Sequence, residues 1–158
     1  MILSGAGDDV IDAGAGNDTI DGGAGSDTIQ AGAGDDRIIY DANDANVDGG
    51  AGDDTLVISG DINLTSIDKF TSIETIDMTN MGDDSLTLTL ADVLDMTEAP
   101  DHALNISDDS GDSLTVDTTG WTKTSEVDNG DNTTTYTYSG DNNTVHLTID
   151  NQIDTMGM

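Results

Sequence analysis

The sequence predicts an all-β chain, a stacked coil of very short strands (a β-solenoid) that runs into an irregular β-rich C-terminal region. Three observations carry this. One nine-residue phrase repeats in unbroken register over residues 4–57, a large aliphatic residue recurs at its eighth position, and beyond it apolar residues alternate with Thr and Ser in short runs. The division falls near residue 58, with a repeat unit at 1–58 and a β-rich capping region at 59–158.

The copies read SGAGDDVID, AGAGNDTID, GGAGSDTIQ, AGAGDDRII, the degraded YDANDANVD, and GGAGDDTLV. Position eight holds Ile2, Ile11, Ile20, Ile29, Ile38, Val47 and Leu56, the inward-pointing residues of the coil. Their neighbours are mostly polar, Thr19, Thr28 and Thr55 before and Asp12, Asp21 and Asp48 after, so each triplet is a very short strand with one buried face. Positions two and four are Gly5 and Gly7, Gly14 and Gly16, Gly23 and Gly25, Gly32 and Gly34, and Gly50 and Gly52. Glycines two apart permit positive φ and let carbonyls converge where a Cβ would obstruct. Position six holds Asp9, Asp18, Asp27, Asp36 and Asp54. Carbonyl and carboxylate oxygens are hard ligands, and calcium takes six to eight of them in flexible geometry.

Composition points the same way. The 158 residues carry a formal net charge of -30 with three basic residues and 3% aromatics, a balance that ordinarily leaves a chain disordered by self-repulsion and lack of apolar surface. A folded state therefore needs cations. Nucleic acid and anionic membrane are excluded as partners by the sign of the charge. The acids are mostly Asp, which suits tight turns and short-reach ligation better than Glu. The absence of cysteine rules out disulfides and thiolate metal sites. No apolar run is long enough for a membrane span, and Met1-Ile2-Leu3 does not open a signal peptide, which predicts export without a cleavable N-terminal signal. Ile2 already stands in repeat phase, which predicts a monomeric module taken from a longer array.

The phrase resembles the calcium-binding nonapeptide of RTX proteins. The resemblance implies a right-handed parallel β-roll in which two copies make one turn, copies eighteen residues apart stack, and Ca2+ lies between turns. It implies that each ion takes carbonyls of positions two and four and the Asp of one copy, with carbonyls of positions one and three and the Asp of the copy above. Carried over, the first site is Gly5, Gly7 and Asp9 with Gly22, Ala24 and Asp27. On the opposite side lie Gly14, Gly16 and Asp18 with Ala31, Ala33 and Asp36, and then Gly32, Gly34 and Asp36 with Gly49, Ala51 and Asp54. The turn pairing Gly23, Gly25 and Asp27 with the fifth copy departs from the pattern, since Tyr40, Asp41, Asn43 and Ala45 replace its glycines and key Asp; Asp44 and Asp41 are the candidate substitutes. Ala or Ser often fills position one, which implies negative φ there.

Extracellular calcium modules have Kd values of about 10⁻⁴ to 10⁻³ M. At ~100-fold excess each site adds ~2.7 kcal/mol to folding, so three or four sites supply about 8 to 11 kcal/mol, comparable to a whole domain's stability. The repeats are expected to be unfolded without calcium.

After Val57 an apolar beat continues through Ile62, Leu64, Ile67, Phe70, Ile73 and Ile76 without glycine pairs, which predicts an irregular continuation of the coil. The acidic loop GDDSL stands at 82–86. Leu86, Leu88 and Leu90 predict a half-buried strand, Leu90, Val93 and Leu94 one or two helical turns, and Pro100 closes that region. Leu104 with Ile106, and Leu114 with Val116, predict strands flanking the loop SDDSGD. Trp121 reads as core or cap. Tyr136 and Tyr138 face Val145, Leu147 and Ile149 across SGDNN, a hairpin signal.

Within residues 67–121, FTSIETIDM, SLTLTLADVLDM and NISDDSGDSLTVDTTGWTK look like the C-terminal region of large repetitive bacterial adhesins exported by type I secretion. That resemblance implies an uncleaved export signal read by an ABC transporter, a location outside the cell or on its surface, and folding by extracellular calcium.

At position nine Ile39 and Val57 are apolar and eighteen residues apart, which predicts that residues beyond about 80 fold back on that face and cap the roll. No enzyme is expected: His102 and His146 stand in unrelated contexts, and the glycines do not open a helix with Lys as a phosphate loop does. Asp83 with Asp84, or Asp108, Asp109 and Asp112, could bind a further calcium; glycoside chemistry by such pairs is the poorer reading. The alternative function is a calcium-dependent ice- or carbohydrate-binding module. For ice, position three is Ala throughout (Ala6, Ala15, Ala24, Ala33, Ala42, Ala51), which leaves no matched Thr-Asn array.

Overall fold

The computed structural model describes residues 1–65, 69–79, 82–97, 102–109, 111–140, 142–150 and 154–156; the expectations for Ile67 and Pro100 lie outside them. In chain order the strands are β1 (Ile2–Leu3), β2 (Val10–Asp12), β3 (Thr19–Asp21), β4 (Thr28–Ala33), β5 (Arg37–Ile39), β6 (Asn46–Ala51), β7 (Thr55–Val57), β8 (Asp61–Asn63), β9 (Phe70–Thr71), β10 (Thr75–Asp77) and β11 (Ser85–Thr89). Helix α1 (Leu90–Met96) follows, then β12 (Ala103–Ser107), β13 (Ser113–Asp117), β14 (Thr122–Asp128), β15 (Thr133–Gly140), β16 (Asn143–Asp150) and β17 (Asp154–Met156).

The nonapeptides form a parallel β-roll. Alternate copies go to opposite walls, because each glycine-rich bend reverses the chain and each polar-apolar-polar triplet offers one buried side chain. On the first wall Ile2, Ile20, Ile38 and Leu56 pair in register through β1, β3, β5 and β7. On the second Ile11, Ile29 and Val47 do so through β2, β4 and β6. Apart from Ile2 and Ile11 at the open end, these side chains are wholly buried, and each contributes about 1.5 to 3 kcal/mol by leaving water.

The coil does continue past residue 58, and it changes shape. The first wall runs on through Ile76, Ile106 and Ile149 in β10, β12 and β16, with a pitch that widens at every step. The second wall ends at β9, where Phe70 pairs with Val47; the Ile73 N–H beyond it donates to the carbonyl of Met96 at the end of α1 (2.8 Å). A third wall opens beside it, β8, β11, β13 and β17, aligning Ile62, Leu86 and Leu114. Helix α1 forms where expected: Thr89 and Asp92 make a reciprocal capping box, and Leu90, Val93 and Met96 share its buried face. The Tyr hairpin is present, with Tyr136 opposite Leu147 and Tyr138 opposite Val145, and β14 adds a solvent-exposed antiparallel edge. Trp121 is half-buried and lies against Gly140.

The expectation that residues beyond about 80 fold back on the position-nine face is corrected. Ile39 and Val57 do pair, but the next residue in their row is Asp77, and Ile39 stays 38% exposed beside a shallow cleft lined by Asp21, Gly23, Tyr40, Asp41, Ala42 and Ser59. The C-terminal region instead extends the column end-on. Unpaired backbone at the last rung is a stronger demand than one partly apolar row, and strand addition answers it.

Candidate metal centre

All ten glycines of positions two and four have φ between +89° and +145°. The reason is clearest at Gly23 and Gly25, where a Cβ would collide with the carbonyl oxygens of Gly5 and Gly7 in the turn below. The position-one residues Gly22 and Gly49 are not among the positive-φ residues, as expected.

These turns bring the three predicted groups of residues together. In the first, the Ala24 N–H donates to Gly5 O (2.7 Å), the Gly7 N–H to Ala24 O (2.8 Å), and the Asp9 N–H to Asp27 Oδ1 (2.8 Å). In the second, Ala33 donates to Gly14 O (2.8 Å), Gly16 to Ala33 O (2.7 Å) and Asp18 to Asp36 Oδ1 (2.7 Å); Ala31 is buried at the entry to that turn. In the third, Gly34 donates to Ala51 O (2.8 Å) and Asp36 to Asp54 Oδ1 (2.8 Å), while Gly32 pairs with Gly50. Several of these carbonyls thus already accept one hydrogen bond, and each retains a second lone pair.

The carboxylates are where the chemistry shows. Asp27, Asp36 and Asp54 are 0 to 2% exposed. One oxygen of each accepts the N–H of the Asp eighteen residues earlier, and the other, Oδ2, is buried with no hydrogen-bond partner, as is Asp9 Oδ2. Beside Asp27 and Asp54 position one is glycine, and a side chain would not fit: a Cβ on Gly49 would lie 2.6 Å from Asp54 Oδ2, and one on Gly22 would overlap Asp27 Oδ2. Burial, reinforced by Asp36, Asp35 and Asp53, pushes the Asp54 carboxyl above the usual range. Unpaired buried anions are strongly destabilising, which makes this row the candidate for cation binding. The donors are all oxygen, which suits calcium. No three His, Cys, Asp or Glu side chains converge among the described residues, so an ion here takes paired carboxylates with main-chain oxygens.

The turn at the fifth copy is different. Tyr40 takes position one as a core residue, packed edge-on to Phe70 with ring centroids 5.0 Å apart. Of the two candidate substitutes, Asp44 is the buried one, at 1% exposure with Oδ1 unpartnered, while Asp41 closes the turn by accepting from Asn43 and donating its N–H to Asp44 Oδ2 (2.9 Å). Burial, with Asp27 and Asp41 adding to it, raises the Asp44 carboxyl. Asp27 keeps its place, accepting from the Ala45 N–H at its carbonyl (2.7 Å), and Lys69 Nζ donates to Asp44 O (2.6 Å). A cation is thus supplied by the chain itself in the turn with the weakest pattern.

The acid ladder also extends past the nonapeptides, which the phrase alone does not reveal. The Asp54 N–H donates to Glu74 Oε2 (2.8 Å); on the third wall Gly60 donates to Asp84 Oδ1 (2.6 Å) and Asp84 to Asp112 Oδ1 (2.8 Å). Each of these residues immediately precedes a strand, as the position-six Asp does. The readable signals are Glu74-Thr75-Ile76-Asp77 echoing Asp18-Thr19-Ile20-Asp21, and Asp-Ser-Leu-Thr occurring at both 84–87 and 112–115.

Residues 3–38 and 46–57 match the family model of the RTX calcium-binding nonapeptide repeat, in four copies, and the residues it skips contain the aberrant Tyr40–Ala45 turn. No curated protein and no solved structure matches the chain. The glycine turns and their buried carboxylates lie within the residues that match the RTX repeat, and the cofactor of such repeats is calcium.

Proposed function

We propose that this chain is a non-catalytic, calcium-dependent folding and type I secretion module from the C-terminal end of a large bacterial adhesin. Calcium outside the cell drives folding of the exported chain. The observation that carries this reading is the row of position-six carboxylates, buried Asp27, Asp36 and Asp54 with half-buried Asp9, each with a buried Oδ2 that has no hydrogen-bond partner. A chain that stacks such anions is stable only where cations abound. RTX repeats are associated with type I secretion substrates and are typically extracellular, and no helix among the described residues is long and apolar enough to cross a membrane.

In this reading one ion lies between Gly5, Gly7, Asp9 and Gly22, Ala24, Asp27; a second between Gly14, Gly16, Asp18 and Ala31, Ala33, Asp36; and a third between Gly32, Gly34, Asp36 and Gly49, Ala51, Asp54. Residues 1–58 act as the calcium-responsive unit. Residues 59–158 cap it and carry what the ABC transporter recognises. The calcium half of the reading is tested by far-ultraviolet circular dichroism with calorimetric titration: chelator should remove most of the β signal and millimolar calcium restore it with about three ions bound. An identical spectrum in chelator and calcium would refute it. The export half is tested by fusing residues 59–158 to a passenger in a strain with a type I exporter, where passenger retained in the cell would count against it.

A further inference from the structure

Among the described residues outside the nonapeptides, Asp108 is the carboxylate buried with neither oxygen answered. Asp108, just after β12, is 5% exposed, and neither of its side-chain oxygens has a hydrogen-bond partner. Asp27, Asp36 and Asp54 each leave one buried oxygen unpartnered; Asp108 leaves two. Its surroundings are acidic: burial, then Asp150, Asp112 and Asp109, push its pKa to about 7. The chain's three Lys and Arg side chains are engaged elsewhere, Arg37 with Asp77, Lys69 with the Asp44 carbonyl and Lys123 with Glu126.

The loop that holds Asp108 follows the plan of the calcium turns. Asp112 immediately precedes β13 and is 2% exposed; its Oδ1 accepts the Asp84 N–H (2.8 Å) from the rung below, as Asp27 accepts from Asp9, and its Oδ2 accepts the Asp109 N–H (3.2 Å). Gly111, at φ +122°, lies in the backbone region of the nonapeptide glycines, and a Cβ there would collide with the Asp83 carboxylate. Asp150, at the end of β16, accepts from Asn132 Nδ2 (2.7 Å) and adds its charge to the same neighbourhood.

We propose that Asp108 anchors a further divalent-cation site, for calcium or an equally hard ion, with Asp112 beside it in the loop and Asp150 contributing negative field. The ion answers the two buried oxygens that lack a hydrogen-bond partner. Like the nonapeptide turns, the site relies on fewer than three converging carboxylates, the remaining ligands being main-chain or water oxygens. It lies at the junction of the first and third walls, where the widened rungs lack glycine pairs, and it ties the end of β12 to the start of β13. This site stands independently of the nonapeptide sites.

The competing state is a neutral, protonated Asp108 that needs no ion. Asp108→Asn in the full chain separates the two, with exposed Asp117→Asn as control. With an ion, the variant binds one calcium fewer than wild type and loses thermal stability in millimolar calcium, while in chelator it is as stable as wild type or more so. An unchanged calcium count, or a gain in stability both with and without calcium, would overturn the site. Should the variant fail to fold, anomalous scattering from wild-type crystals grown with terbium decides: a peak at coordination distance from Asp108 supports the site, and peaks confined to the nonapeptide turns contradict it.

Discussion

Residues 4–57 and the region beyond 58 share one column yet are held together differently. In the first, the pitch is constant, one large aliphatic side chain per rung points inward, and the turns pack glycine backbone against buried Asp. In the second, the pitch widens, two or more apolar side chains point inward from many strands (Leu86 and Leu88, Leu104 and Ile106, Val145, Leu147 and Ile149), and a capped helix joins the core. The first region is short of apolar surface and long on unanswered anions. The second has the reverse balance, apart from the buried acids of its loops. On the proposed reading, cations are decisive for the first and secondary for the second.

Calcium removal is the sharpest way to break the comparison. Losing three sites should cost the repeats about 8 kcal/mol, enough to unfold residues 4–57, while β11 to β16 lose less; limited proteolysis in chelator should cut first in the repeats. Core truncation should act in both regions. Leu56→Ala and Leu114→Ala, both at fully buried positions, are each expected to cost about 2 to 5 kcal/mol, read as the shift in denaturant midpoint in saturating calcium. Equal calcium dependence of the two losses would erase the distinction.

A finer contrast lies in the glycines. Gly23→Ala combines a left-handed φ of +89° with a collision against Gly5 O, whereas Gly120→Ala has a similar φ of +87° and open space around it. The first should cost more than about 2 kcal/mol and weaken calcium binding, and the second about 1 kcal/mol with calcium affinity unchanged. Titration calorimetry on both variants checks this.

The smallest expected effect concerns the ion pair that bridges two rungs across the boundary, Arg37 Nη1 to Asp77 Oδ2 at 2.6 Å. Burial raises the Asp77 carboxyl, but hydrogen bonds from Thr79 and Arg37 outweigh it and leave the carboxyl below its usual value of 3.8. Its contribution is therefore full above about pH 3.8 and is lost as pH falls through the lower folded value. Arg37 is partly exposed, so Arg37→Ala should cost only about 1 kcal/mol near neutral pH, and the difference from wild type should shrink in acid melts.

Much of the repeat half was legible because a strict period leaves one solution: the inward Ile residues, the glycine bends and the acids that meet eighteen residues apart all follow from register. The Tyr40–Ala45 turn was legible only as a fault, since choosing Asp44 over Asp41 required knowing that Tyr40 packs on Phe70 and that Lys69 reaches back to the turn. Beyond 58 the strands β11, β12, β13, β15 and β16 and the helix could be read from alternation and apolar spacing, whereas β14 and β17 were not. The third wall could not, because its rungs differ in length and the shared Asp-Ser-Leu-Thr at 84–87 and 112–115 shows no fixed period. The fold-back on Ile39 and Val57 failed for a related reason: apolarity at one position marks a row, but backbone pairing decides where the next rung goes.

Residue-resolved hydrogen exchange on the full chain, in chelator and in millimolar calcium, tests the central claim most directly. The amides of Asp9, Asp18 and Asp36 donate to carboxylates that share a turn with the proposed ions. They should exchange at unfolded-chain rates in chelator and become strongly protected in calcium, with a smaller change at Leu114 and Leu147. Equal protection of the three Asp amides in both conditions would contradict a calcium-driven fold.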